Sequence, residues 1–83
     1  MMQAFGFSID SSGESSSIVP LSCVHLAMSQ ETLEQFAKFV AFAASEMKRL
    51  GPEQFDHMHF GDSYAKAWEE GWPDIQLTRV FGA

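Results

Sequence analysis

Hydrophobic and polar positions follow a helical period along one long segment in the middle of the chain. Between Ser29 and Leu50, apolar residues recur at spacings of three and four, which places them on one stripe at about 3.6 residues per turn. This predicted core stripe consists of Leu33, Phe36, Ala37, Val40, Ala44 and Met47. Ser29 suits the N-cap, and Gly51 followed by Pro52 is typical of a helix end. The pattern predicts one amphipathic helix over residues 29–50.

Shorter segments on both sides of this helix alternate apolar and polar positions, as β-strands do. The predicted strands cover residues 2–10, 18–27, 54–60 and 75–81. The serine-rich cluster at 11–17 predicts the turn of a first hairpin. Pro20 cannot donate to a strand ladder, so we expect an edge position or a bulge near residues 20–23.

The order of these elements predicts an α+β fold of the β-β-α-β-β type, in a single domain over residues 1–83. We expect a four-stranded, mainly antiparallel sheet that the single long helix covers on one face. The other face would stay open, and a core of this size contributes only about 3–5 kcal/mol of net stability. The sequence therefore predicts a homodimer.

Charge and composition narrow the function classes. Eleven acidic against five basic residues give a net charge of −6, which opposes binding to nucleic acid or anionic lipid and favours a basic partner. The start of the chain lacks the basic segment of a signal peptide, and no apolar run is long enough to span a bilayer. Cys23 is the only cysteine, which fits a reducing compartment. We expect a soluble, cytoplasmic protein.

A pair of histidines is the feature of the sequence that most strongly suggests a metal-binding or catalytic role. His57 and His59 are two residues apart on a predicted strand, so they share one face at a distance that one metal ion could bridge. Asp62, or a Cys23 and His25 pair on another strand, could add ligands. No third ligand is fixed by spacing, however, so the histidines are weak candidates. We expect no metal or other cofactor and no catalysis, because no nucleophile with a base and an oxyanion site is evident.

Aromatic and acidic residues interleave in the connection over residues 62–74, where a short helix capped by Asp62 and ended by Gly71 is also predicted. Trp and Tyr contribute disproportionately to interface energies, and carboxylates steer basic partners. We expect one tryptophan to anchor the connection and the other to be available for contact. The predicted partner-binding residues are Asp62, Tyr64, Trp68, Glu69, Glu70, Trp72 and Asp74. A second candidate surface is the helix side that carries Phe42, with Phe39 on its flank.

The C-terminal half of the chain resembles a known family. The segment F-D-H-M-H-F-G-D (55–62), a tryptophan at 68 or 72 and the segment P-D-I-Q-L (73–77) are similar to the pattern of small bacterial immunity proteins of polymorphic-toxin and contact-dependent inhibition systems. The strand pair and the helix upstream fit the same pattern, while Phe60 stands where leucine is expected. The resemblance implies a non-catalytic protein that binds and neutralises a cognate toxin.

Three function classes follow from these observations. An immunity-like binding protein fits the acidic charge, the small size and the family resemblance. A homodimeric structural or scaffold domain fits the uncovered sheet face. A His-x-His metal-binding protein is the least favoured class.

Overall fold

A computed structural model of the chain describes residues 2–9 and 15–80. These residues form an α+β fold with one long helix, as the sequence predicts. The elements are β1 (Phe5–Ile9), β2 (Ser15–Pro20), α1 (Gln30–Gln54), β3 (His57–His59), α2 (Phe60–Ser63), α3 (Lys66–Glu69) and β4 (Gln76–Thr78). Most of the predicted serine turn and the final residues of the first and fourth predicted strands lie outside the described residues.

The strands of the described part form two separate two-stranded antiparallel sheets, β1 with β2 and β3 with β4. They do not form the single four-stranded sheet that the sequence predicts. The third predicted strand is shortened at both ends, because α1 extends to Gln54 and α2 begins at Phe60. The second predicted strand ends at Pro20, and residues 21–29 continue as an irregular, mostly exposed segment. Pro20 is the last residue of β2, an edge strand of a two-stranded sheet, so the predicted edge position is confirmed. The register irregularity lies at Ser8 and Ile9, and not at the alternative position near residues 20–23.

Helix α1 begins where the sequence predicts. The Ser29 hydroxyl accepts a hydrogen bond of 3.2 Å from the backbone N–H of Thr32, which satisfies one free donor of the first turn. Gly51, at φ 72° and ψ 179°, interrupts the helical backbone as predicted. One further turn follows this kink, because Pro52 is well suited to the first position of a helical segment.

The buried face of α1 differs from the predicted stripe. The side chains that the fold buries are Thr32, Phe39 and Ala43, with Phe36 and Met47 partly buried. Leu33 and Val40, at the centre of the predicted stripe, are 54% and 43% exposed. At about 100° per residue, the helix is turned by roughly a quarter of a revolution from the predicted orientation. Phe39, which we expected on the flank, is the most buried of these residues at 1% exposure.

The core that α1 packs against is aromatic and comes from the C-terminal half of the chain. Phe39 lies 5.4 Å from Phe60, ring centre to ring centre, and Phe36 lies 5.3 Å from the same ring with an edge-on geometry. Ala67 completes the buried cluster, and Met58, Tyr64, Trp72, Ile75 and Leu77 pack around it. This cluster joins the long helix to the β3–β4 hairpin and to the connection between those strands.

Arg79 ties the end of this hairpin region back to α1. Its Nη2 donates a 2.8 Å hydrogen bond to the backbone carbonyl of Met47, and its guanidinium lies over the ring of the buried Phe55 at 5.8 Å. The two contacts hold the chain after β4 against the C-terminal half of the helix.

The β1–β2 hairpin leaves an apolar face in solvent. The register pairs Phe7 with Ile18 and Phe5 with Pro20, so these four side chains share one face. Phe5, Phe7 and Ile18 are all more than half exposed. The outer stripe of α1 (Leu33, Ala37, Val40 and Ala44) is largely exposed as well. The described part of the chain therefore displays two apolar surfaces outside its core.

Among the helices of residues 2–9 and 15–80, none has the length and apolar character needed to cross a bilayer.

Phe39 should be the most sensitive position of the helix. Phe39→Ala removes a ring that is 1% exposed, and a buried Phe→Ala change costs about 3–5 kcal/mol of unfolding free energy. Phe42→Ala is the matched control one turn away: that ring is 51% exposed, so the change should stay within about 0.5 kcal/mol. Urea unfolding followed by far-UV circular dichroism measures both. Equal losses for the two variants would contradict the observed orientation of α1.

Candidate functional site

The predicted partner-binding residues of the 62–74 connection divide into an outer and an inner set. The exposed side chains are Asp62, Trp68, Glu69, Glu70 and Asp74, and the half-buried ones are Tyr64 and Trp72. The connection folds as two short helices, α2 and α3, in place of one. Asp62 lies inside α2, while α3 begins after Ala65 and is followed by Gly71 at φ 67°. Glycine tolerates this positive φ, which turns the chain sharply at the end of α3.

Trp72 packs inward. Its ring lies 6.0 Å from Tyr64, which in turn lies 5.8 Å from the buried Phe60. The Lys66 ammonium lies 5.9 Å from the centre of the Trp72 ring on the outer side. The backbone N–H of Trp72 donates 2.9 Å to the carbonyl of Ala67. Trp72 therefore anchors the connection to the core.

Trp68 faces solvent on one side and the backbone on the other. It is 47% exposed, and its indole lies so close to Gly61 that a β-carbon added there would overlap the ring. Only glycine leaves room for the ring at this place. The His59 ring lies 6.1 Å away on a third side. Trp68 is thus held in one orientation with an accessible edge.

Exposed acidic residues lie close to Trp68 in the sequence of the connection. Glu69 and Glu70 follow it directly, and Asp62 follows the Gly61 on which the indole rests. Glu70 lies 3.9 Å from Lys66, an exposed pair of the kind that contributes little to stability. We call Trp68 with Asp62, Glu69 and Glu70 the Trp68 surface. It combines one oriented aromatic ring with a local excess of negative charge.

Asp74 has a different position from the other acids of the connection. Both of its carboxylate oxygens lie near Nδ1 of His59, at 2.9 and 3.1 Å. His57 is arranged in the same way, with its Nδ1 2.6 Å from an Asp56 oxygen. The Nε2 atoms of the two histidines face each other at 3.1 Å. The side chains thus form a continuous chain from Asp56 through both histidines to Asp74.

The further metal ligands considered from the sequence do not join this chain. His59 contacts Asp74 rather than Asp62, and Cys23 and His25 are exposed in the irregular segment before α1. Residues 2–9 and 15–80 contain no cluster of three or more His, Cys, Asp or Glu side chains placed to hold a metal ion. The roles of Asp56 and Asp74 beside the histidines were not evident from the sequence. The pairing of His59 with Gln76 in the β3–β4 register brings Asp74 within reach, and no local pattern reveals that register.

The second candidate surface, around Phe42, borders an open groove of about 320 Å³ between the C-terminal half of α1 and β3. Phe42 and Leu50 line it from the helix, and His57 and Met58 line it from the strand. Phe39, which we expected beside Phe42, is buried in the core and contributes nothing to this surface.

No protein-family model, curated protein or solved structure matches this chain. The similarity to immunity proteins therefore stays a prediction from the residue pattern.

Gly61→Ala should disturb the seat of Trp68. In most helical positions Gly→Ala stabilises by about 1 kcal/mol, but here the added methyl group would overlap the indole. We expect a loss of about 1–3 kcal/mol from overpacking, together with a red-shifted tryptophan emission as the ring moves into water. Gly6→Ala is the control, because its new methyl group meets only the flexible end of Leu21, at 3.2 Å. Unchanged emission and stability in the Gly61 variant would show that Trp68 is not fixed by this contact.

Proposed function

We propose that this chain is a non-catalytic binding protein of the immunity type, which neutralises a cognate bacterial toxin by direct contact in the cytoplasm. The observation that supports the proposal is the Trp68 surface: an indole that rests against Gly61 and is 47% exposed, in a connection that also carries the exposed carboxylates of Asp62, Glu69 and Glu70. Large aromatic side chains with restricted motion lose little conformational entropy on binding, so they make effective anchors.

The negative charge of the chain supports the proposal of a basic binding partner. The chain carries a net charge of −6, and the connection that holds Trp68 carries three of the exposed acids, Asp62, Glu69 and Glu70, of which Glu70 lies near Lys66. Complementary charge accelerates diffusional encounter, while the buried centre of an interface provides most of the affinity. A toxin domain that acts on nucleic acid would present the positive surface that this arrangement attracts.

The residues that carry the family resemblance lie in the same part of the fold. The segment 55–62 runs from Phe55 through β3 into α2, and the segment 73–77 leads into β4. Together they frame the connection that carries Trp68. An immunity function would use this half of the protein as a rigid support for the contact surface.

Trp68→Ala tests the proposal most directly. The partner to use is a toxin domain encoded beside this gene, with cell survival and the dissociation constant as the two measurements. Loss of a hot-spot tryptophan should cost about 2–4 kcal/mol of binding, while the core stays folded. Phe42→Ala is the matched control, a similarly exposed aromatic outside the Trp68 surface. If Phe42→Ala abolishes protection and Trp68→Ala does not, the contact lies at the groove beside α1.

The contribution of the Glu69 and Glu70 carboxylates to association with the partner is tested in the same assay. Glu69→Gln with Glu70→Gln should slow association several-fold and flatten its dependence on salt, because steering charge is lost without loss of shape. Glu31→Gln with Glu34→Gln removes the same charge from positions near the start of α1, outside the Trp68 surface. An equal effect of the two double variants would attribute the steering to net charge and not to the Trp68 surface.

A second candidate function, a homodimeric structural domain, is favoured by the two exposed apolar surfaces. Phe5, Phe7 and Ile18 on the hairpin and Leu33 and Val40 on the helix together form more apolar surface than scattered exposed residues usually provide. Contact between two copies would remove these side chains from water and would add to the small stability of an 83-residue core.

Sedimentation equilibrium tests this candidate. We expect a mass of twice 9.3 kDa at high micromolar concentration, and Val40→Glu should shift the protein to monomers because it places a charge in the outer apolar stripe. Ser45→Glu adds the same charge at an exposed position on another side of α1 and should leave the dimer intact. A 9.3 kDa species for the unmodified chain would rule the homodimer out.

A further inference from the structure

His57 and His59, the two histidines of β3, face each other through their Nε2 atoms, because each Nδ1 already contacts a carboxylate. Nδ1 of His57 lies 2.6 Å from Asp56, and Nδ1 of His59 lies 2.9 Å from Asp74. Their Nε2 atoms are 3.1 Å apart, and the rings are close to perpendicular at 76°. Each histidine is therefore oriented by a carboxylate on one side and directed at the other histidine on its second side.

The positions of the protons on the two histidine rings determine how their Nε2 atoms interact. A carboxylate accepts hydrogen bonds, so each Nδ1 carries the proton and donates it. A neutral imidazole protonated at Nδ1 has a lone pair at Nε2. Two such lone pairs directed at each other across 3.1 Å repel. The arrangement is favourable only when the two nitrogens share a cation, either a proton between them or a metal ion that both nitrogens bind from one side.

The geometry suits a metal ion. With metal–nitrogen bonds of about 2.05 Å, two nitrogens 3.1 Å apart subtend an angle of about 100° at the metal. This value lies between the right angle of square-planar or octahedral sites and the tetrahedral angle. Carboxylates that accept from the Nδ1–H of a metal-bound histidine are the usual outer partners, because they fix the ring and raise the basicity of the ligand. Asp56 and Asp74 occupy those positions.

The pair is also accessible. The side chain of His57 is 39% exposed and that of His59 is 27% exposed, so water can reach the remaining coordination positions. Both ligands come from one short strand whose alternation places them on the same face, so no movement of one element against another is required.

We propose that His57 and His59 chelate one late first-row divalent metal ion through their Nε2 atoms, with water completing the coordination. Imidazole ligands select Cu²⁺, Ni²⁺ and Zn²⁺, and Cu²⁺ binds most tightly in the usual order of stability. This proposal departs from the expectation drawn from the sequence, which gave spacing but no orientation. It does not rest on the proposed toxin-binding function, because the ligands lie outside the Trp68 surface.

Trp68 provides a built-in reporter for the test. Its ring lies 6.1 Å from that of His59, so Cu²⁺ or Ni²⁺ bound at Nε2 should quench its fluorescence. The purified chain is titrated with CuCl₂, NiCl₂ and ZnCl₂ separately, and calorimetry gives the stoichiometry. We expect one ion per chain, with affinity falling from Cu²⁺ to Ni²⁺. The variant Trp68→Phe should lose most of the quenching and keep the heat of binding.

Five variants distinguish chelation from binding to isolated histidines. His57→Ala and His59→Ala should each weaken Cu²⁺ binding as much as the double change does, since a chelate needs both nitrogens. His25→Ala, which removes the third histidine of the chain, should have no effect. Asp74→Asn should weaken binding by roughly 10–100-fold, because it removes the carboxylate that orients His59. Far-UV circular dichroism verifies that each variant is folded.

Either of two results would overturn the proposal. If the unmodified chain binds Cu²⁺ no more tightly than the His57→Ala variant does, the two histidines do not chelate and the pair only supports the β3–β4 hairpin. Additive small losses from His25, His57 and His59 would have the same meaning, because they would describe three independent surface histidines.

Discussion

The contact between Phe39 and Phe60 is the interaction on which the rest of the described structure depends. The rings are 1% and 2% exposed and lie 5.4 Å apart, and they are the two most completely buried aromatic rings of the described residues. Phe39 belongs to the long helix, and Phe60 opens the connection that carries the tryptophans. Without this contact, α1 and the segments that follow it would share the Phe36–Phe60 edge contact, the Arg79 tether and peripheral packing. The orientation of Trp68, and the position of the histidine pair beside it, follow from this one junction.

The buried core around Phe39 and Phe60 lies in one part of the described structure. Apart from Thr32, the buried side chains lie in the middle of α1 and in the segments that follow the helix. The β1–β2 hairpin and the outer stripe of α1 keep large apolar side chains in water. An asymmetric distribution of this kind is unfavourable for an isolated small chain, because the hydrophobic contribution scales with the apolar area buried. It is suited to a chain whose remaining apolar surface is covered by another molecule.

Local signals in the sequence were sufficient for some features and insufficient for others. The Ser29 cap and the break at Gly51 depend on neighbouring residues, so both were predictable. The orientation of α1 was not: both Leu33–Val40 and Phe36–Phe39 form apolar stripes at helical spacing, and the choice depends on where Phe60 lies. The division into two sheets was also hidden, because strand pairing is a non-local property. Among the site residues, the His57–His59 pair could be found from its spacing. The roles of Asp74 and Gly61 required the β3–β4 register and the position of an indole.

The irregular segment over residues 21–29 has a mechanical consequence. Nine residues can extend over about 30 Å at most, which is comparable to the dimensions of the domain itself. The β1–β2 hairpin is joined to the rest of the described fold through this segment, and its apolar face and the outer stripe of α1 are both exposed. The length of the segment limits how far apart these two surfaces of one chain can lie. It therefore sets, together with the chemistry of the surfaces, the span that a single molecule needs in order to cover both.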